Sequence, residues 1–386
     1  MFWQTRLDND TAMKKICAII SVFNEEDIIR EVVDRLIADG VDVFVIDNAS
    51  SDASVEKIQA LVGHGVVDIV RREYFDAFGK SVYKWNEILK EKERIAATLN
   101  YDWYIHADAD EIRLSPWQGL SLQESITRVD LEGFNAINFK VFNFRPTKST
   151  AFNERIEASV THYESAFGGD LKQVKCWKNT GLVDLASSGG HYARIPGLKL
   201  YPVRFILKHY PLRSPVQSNR KLYIDRVPRF ATEEVAKDWH RQYDGLVQQN
   251  EKIFEWAETG LREFDFKDVT SVLFSESAQM LVALNEYSHT HSVADSDDSL
   301  VVFLSKKIAG AGFRPEAANH FAMQAWGLVE GIYRGKPVQV TVDADTATWL
   351  IFCIRLVCAK YFLNGDPRLL ENAKLLILNG RELTLA

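Results

Sequence analysis

The sequence predicts an α/β protein built on a mostly parallel sheet flanked by helices, and three observations carry that prediction. Apolar, strand-like runs alternate with helical stretches across short connections from residue 16 to 107. The first run, Ile16–Phe23, is apolar at every position but Ser21, as befits a strand buried on both faces. Acidic and amide residues (Asn24/Glu25, Asp47/Asn48, Asp108/Asp110) fall just past the ends of three such runs, where open parallel sheets bind their ligands.

Each element has its own signal. Asn24 is expected to cap a first helix, with Glu25-Glu26-Asp27 at the positive end of its dipole and Gly40 closing it. Val41–Ile46 reads as the second strand, Ser51–Leu61 as the second helix and Val66–Val70 as the third strand. Phe78–Leu99 reads as a long charged helix and Trp103–Ala107 as the fourth strand. Beyond 133 the pattern loosens. Asn135–Phe144 and Tyr201–His209 read as strands, and Ser187-Ser-Gly-Gly-His191 as a flexible loop whose glycines permit close backbone approach. From about residue 233 the periodicity is helical, over Glu233–Thr259, Ser271–Tyr287, Glu316–Tyr333 and Thr346–Leu363. The expected division is an α/β domain over 14–264 and a helical C-terminal region over 265–386.

Composition narrows the function. The 386 residues are 46% hydrophobic and carry a formal net charge of −7, which argues against nucleic acid as a partner, since that needs a basic face. A local basic stretch (Arg204, Lys208, Arg213, Arg220, Lys221, Arg226, Arg229) suits either a phosphate-bearing ligand or an ion-paired surface. Cys17, Cys176, Cys353 and Cys358 lack metal-ligand spacing, so buried reduced thiols and a cytoplasmic setting are expected. No apolar run approaches the roughly 18 residues of a membrane span, which leaves peripheral membrane contact open.

The sharpest motif is His106-Ala-Asp-Ala-Asp-Glu111. Two carboxylates at i and i+2 beyond a buried strand suit Mn²⁺ or Mg²⁺, ions that keep open positions for substrate phosphates. Asp-x-Asp also occurs at Asp8/Asp10, Asp295/Asp297 and Asp343/Asp345, but those copies read as a polar stub, a solvated turn and a helix cap. Asp108–Asp110 alone follows a strand within a βα pattern.

Together with Phe23-Asn24-Glu25-Glu26 and Val45-Ile46-Asp47-Asn48-Ala49-Ser50-Ser51-Asp52, this motif makes residues 14 to about 245 resemble a family 2 glycosyltransferase of the GT-A fold. Gln173-Val-Lys-Cys-Trp-Lys178, Ser188-Gly-Gly-His191, His209-Tyr-Pro-Leu-Arg-Ser214 and Trp239-His-Arg-Gln-Tyr243 resemble its bacterial polysaccharide-type subgroup. The resemblance implies inverting transfer of a sugar from a nucleotide-diphosphate donor to a saccharide or glycoconjugate acceptor. It places Asp108 and Asp110 on the metal, or one on the metal and the other on the ribose. It turns Asp47, Asn48 and Asp52 toward the nucleotide, with Asn24 and Glu25 beside them.

Other roles follow from residue chemistry. His209 is expected on the metal or a phosphate, His191 near the donor, Arg213 as a fork on phosphate, and Lys80 on a phosphate as well. The general base should be a carboxylate after the metal motif. Glu154, Glu164, Asp170 and Asp184 are candidates, and Glu164 is favoured because it precedes a glycine-containing loop. A nucleotidyltransferase would share the acidic motif, yet it would carry a basic, glycine-rich loop after the first strand where this chain has Phe23-Asn-Glu-Glu-Asp27. A degenerate binding module is the other alternative, and the intact Asp47, Asp108 and Asp110 speak against it.

Overall fold

The computed structural model describes residues 12–153, 155–164, 173–201, 203–229, 256–273, 338–340, 376–378 and 381–383. The chain forms two compact units, one made of 1–166, 174–196 and 205–265, the other of 167–173, 197–204 and 266–386.

The first unit opens as a Rossmann-like alternation. Strand β1 (Ile16–Val22) leads to helix α1 (Ile29–Ala38), β2 (Asp42–Asp47), α2 (Ser54–Gln59), β3 (Val66–Arg71), α3 (Trp85–Thr98) and β4 (Trp103–Asp108). Helix α1 buries Ile29, Val32, Val33 and Leu36, the i, i+3, i+4, i+7 stripe that faces a sheet. Burial of each such side chain contributes roughly 1.5–3 kcal/mol. The helix ends at Gly40, whose positive φ of 75° places it where a Cβ would meet Gln123.

The chain continues through β5 (Glu111–Leu114), α4 (Leu122–Leu131), β6 (Ala136–Asn143), α5 (Ile156–Ser159), β7 (His162–Glu164), β8 (Val174–Lys178), β9 (Phe205–His209), α6 (Pro215–Arg220) and β10 (Leu261–Glu263). Among the described residues these strands form an eight-stranded sheet in the order β3-β2-β1-β4-β8-β6-β9-β5, with β7 and β10 paired separately. Strands β3, β2, β1 and β4 run parallel, β8 is antiparallel to β4 and β6, and β9 is parallel to β6. The mostly parallel α/β sheet with flanking helices is the one expected.

The differences have local causes. Asn24 is not a helix cap. It sits in the left-handed region at φ 53°, and α1 begins five residues later at Ile29, behind an Ile28 boundary without a side-chain cap. Residues 78–84 are not helical, because the Asp76 carboxylate accepts from the Phe78 and Lys80 amides and fixes a turn around Gly79. Strands β5, β7 and β8 had no clear sequence signal, being short or, in β8, interrupted by lysines. Cys17 and Cys176 are buried free thiols.

In the second unit the described residues include a helix over 266–273 and a three-stranded sheet of β11 (Val338–Val340), β12 (Leu376–Leu378) and β13 (Arg381–Leu383). These short strands lie in the stretch read as helical. The helices expected over 316–333 and 346–363 lie outside the described residues, as do most of 233–259 and 271–287, along with Cys353 and Cys358. No described helix is long and apolar enough to cross a membrane.

Candidate active site

Strand β4 delivers Asp108 at its carboxyl end, and a tight turn through Ala109 and Asp110 leads into β5. Strand β5 pairs antiparallel with β9 in a register that sets Glu111 opposite His209, and the Tyr210 amide donates to the Asp110 carbonyl at 2.9 Å. That pairing brings together residues about a hundred positions apart. His209 Nδ1 lies 2.8 Å from Asn143 Oδ1, so Nδ1 carries the proton and donates. Its Nε2 lone pair is left facing Asp110 Oδ1 at 3.8 Å. Burial lowers the His209 pKa, with Asp110 opposing, which keeps the ring neutral at pH 7.

Two lone-pair donors converging without a proton between them fit a divalent cation. Among the described residues no cluster of three or more His, Cys, Asp or Glu side chains surrounds such a position. Asp110 and His209 would therefore hold the ion together with phosphate oxygens and water, which would supply most of its ligands.

Asp108 is held differently. Its Oδ2 lies 3.3 Å from Lys175 Nζ and its Oδ1 3.8 Å from Lys92 Nζ. Burial would raise its pKa, yet Lys175, His106 and Lys92 hold the carboxyl well below the usual range. Lys175 also meets Glu111 Oε1 at 2.7 Å, and Arg113 meets Glu111 Oε2 at 2.5 Å. Lys92 is fully buried, donates to the Ala107 carbonyl at 2.7 Å, and stands over the Trp85 ring. Its pKa is lowered to about 7 by burial, with Asp108 opposing. Lys221 lies 2.6 Å from Asp110 Oδ2 and 3.0 Å from Glu25 Oε1. Burial opposes ionisation of Asp110, but Lys221 and, farther off, Arg213 overcome it and pull the pKa far down. In this cluster the carboxylates of Glu25, Asp27, Asp108, Asp110 and Glu111 meet Lys92, Lys175, Lys221, Arg113 and Arg213 charge for charge.

The remaining expected residues divide. Arg213 does not fork onto a phosphate position. It is fully buried, donating to Glu25, to both oxygens of Asp27 and to the Tyr210 carbonyl. Glu25 correspondingly faces Arg213 and Lys221. Asp47 is buried at the end of β2, accepting from the Ser50 amide at 2.9 Å and facing Arg71 at 3.3 Å. Asn48 beside it is buried, and both its amide atoms lack a hydrogen-bond partner among the described residues. Asp52 accepts from the Ser54 amide and hydroxyl and from the Glu26 amide, bridging the turn before α2 to the loop after β1. Asn24 bonds Ser51 and Asp225. Lys80 is exposed and donates to the Pro228 carbonyl. His191 is exposed on its glycine loop. Glu164 is half-buried, 3.2 Å from Arg145. Asp184 is a turn residue accepting from Ser187, and Glu154 and Asp170 lie outside the described residues.

Sequence reasoning missed Lys92 and Lys175. The available signals were a lysine on the apolar stripe Ile88/Lys92/Ile95 of α3, and one amid the buried residues of β8.

Comparison with known proteins addresses the same region. Residues 17–108 match the glycosyl transferase family 2 model. The resemblance carried by the motifs is thus shown over a segment that ends on Asp108. No curated protein matches the chain. Among solved structures, glucosyl-3-phosphoglycerate synthase from Mycobacterium tuberculosis, in complex with phosphoglyceric acid, aligns at 22% identity over 34% of this chain and 44% of that one, with a TM-score of 0.23. A mannosyltransferase from Pyrobaculum calidifontis, in complex with GDP-Man and Mn²⁺, aligns at 12% identity over 90% and 86%, with a TM-score of 0.28. TarS from S. aureus, residues 1–349, aligns at 11% identity over 84% and 92%, with a TM-score of 0.32. Alignments this loose transfer no substrate and no residue role.

Proposed function

We propose that this chain moves a sugar from a nucleotide diphosphate to an acceptor hydroxyl, with a divalent cation at Asp110 and His209 and inversion at the anomeric carbon. The observation that carries the reading is the meeting of those two side chains just beyond the family 2 segment. Bound Mn²⁺ or Mg²⁺ would supply Lewis-acid neutralisation of the departing diphosphate.

The chain's own residues supply the rest. Asp47 and Asn48 sit at the carboxyl end of β2, and the buried Asn48 amide offers a donor and an acceptor to the nucleotide. Asp108 stays ionised between Lys175 and Lys92 and accepts from a donor hydroxyl. An inverting transfer needs a base for the acceptor, and Glu164 fills that role. Its carboxylate pairs with Arg145 at 3.2 Å, and that pairing must loosen for the proton to be taken. The proposal extends to a saccharide or glycoconjugate acceptor, a place in surface polysaccharide or glycoconjugate synthesis, a cytoplasmic setting, and a catalytic domain over 14–264.

A thermal-shift panel of nucleotide sugars, with and without Mn²⁺, tests the reading. A metal-dependent rise with one donor is expected by mass action, and no response to any donor sinks the proposal. Glu164→Gln should abolish transfer while sparing donor binding, and an active variant removes Glu164 as base.

A further inference from the structure

Lys221 stands where the proposed reaction has no evident use for a lysine. It follows α6, where the backbone widens into a π-helical turn over Lys221–Arg226. Such turns often occur at functional sites. The ammonium is buried, 2.6 Å from Asp110 Oδ2 and 3.0 Å from Glu25 Oε1. The other oxygen of the same carboxylate, Asp110 Oδ1, faces His209 Nε2. One carboxylate therefore turns one oxygen to the cation position and the other to a fixed positive charge. Like charges brought this close beside largely buried Lys221 and Asp110 repel more strongly than in bulk water. Glu25 gives the lysine little room to retreat, because Arg213 already clamps it.

From this geometry we infer that Lys221 is an internal counter-cation that makes metal binding conditional on a diphosphate. Asp110 and His209 hold a divalent ion weakly while Lys221 neutralises Asp110. A nucleoside diphosphate raises that affinity, because its oxygens take up the lysine's charge and add ligands to the ion. The identity of the anion rests on the nucleotide-sugar reading above; the competition between Lys221 and the ion does not. Linkage makes the effect reciprocal, so the ion strengthens diphosphate binding by the same factor. Lys221 is here a positioning residue, and no proton or bond changes hands.

The test is Mn²⁺ titration followed by electron paramagnetic resonance, on the full chain and its Lys221→Met and Lys221→Arg variants, each with and without UDP or GDP. Without nucleotide, Lys221→Met should bind Mn²⁺ about tenfold more tightly than the parent. Lys221→Arg keeps the charge and should stay within about threefold of it. Nucleotide should tighten Mn²⁺ binding by about tenfold in the parent and by less in Lys221→Met. Melting curves establish that each variant is folded, and Lys221→Gln replaces Lys221→Met if that variant does not melt cooperatively. Equal or weaker Mn²⁺ affinity in the folded neutral variant overturns the inference. A parent whose Mn²⁺ affinity ignores both nucleotides, while the neutral variant still binds more tightly, fails the nucleotide reading and leaves the counter-cation standing.

Discussion

Replacing Lys175 with methionine should cost the fold about 3 kcal/mol, near the low end of the range for breaking a buried ion pair from one side. The estimate follows from what is left behind. Glu111 loses its 2.7 Å partner but keeps Arg113 at 2.5 Å. Asp108 loses a 3.3 Å partner, keeps Lys92 at 3.8 Å, and is 28% exposed, so water offsets part of its loss. Most of the cost is thus the weakened pairing of Glu111, which is only 6% exposed. Urea unfolding followed by tryptophan fluorescence measures it, with Lys175→Met and Glu111→Gln examined singly and together. Because the double variant removes both members of the pair, the two losses should fall short of additive by at least about 1 kcal/mol. A single-variant loss under about 1 kcal/mol, or full additivity, would show that the pair contributes nothing specific.

Three further outcomes follow. Asp110→Asn should lower Mn²⁺ affinity by at least about tenfold and transfer by more, since it removes the charged half of the ion's protein ligands; unchanged Mn²⁺ binding would remove Asp110 from that role. Lys92 has a folded pKa of about 7, depressed from its unfolded value of 10.5, so the unfolded chain binds the extra proton between those limits and stability rises with pH across that window. Comparing urea midpoints at pH 7 and 9 for the parent and Lys92→Met checks this, and an identical slope in both would refute it. Gly190→Ala should destabilise by about 2–4 kcal/mol, because at φ 87° the added Cβ would sit 2.9 Å from His106 Nε2 and 3.0 Å from Leu89 Cδ2; urea unfolding showing a loss below about 1 kcal/mol would contradict that packing.

What the sequence disclosed follows from which forces act locally. Strands β1, β2 and β4 are apolar runs with acids at their ends, and both signals lie within a few residues. The site's cations were harder to read because their meaning depends on pairing across the sheet. Arg213 looked like a free phosphate ligand in its loop, and only the return of the chain onto the Glu25–Asp27 loop turns it into a structural clamp. Lys92 and Lys175 look like ordinary lysines until α3 and β8 are set against the end of β4. Asn24 misled for a different reason: its side chain bonds the Ser51 amide across the loop instead of capping its own helix.

The β5–β9 register has a consequence for how the molecule comes into being. The family 2 segment ends at Asp108, so a growing chain displays its acidic loops before Lys175, His209, Arg213 and Lys221 have been synthesised. Until those residues arrive, like charges crowd the carboxyl edge of the parallel strands, and the cost of bringing them together in an apolar setting opposes closure. The edge can settle only once β9 has threaded beside β6 and β5, a long-range pairing of the kind that folds slowly. Maturation of the half that looks most self-contained is therefore governed by the half that follows it.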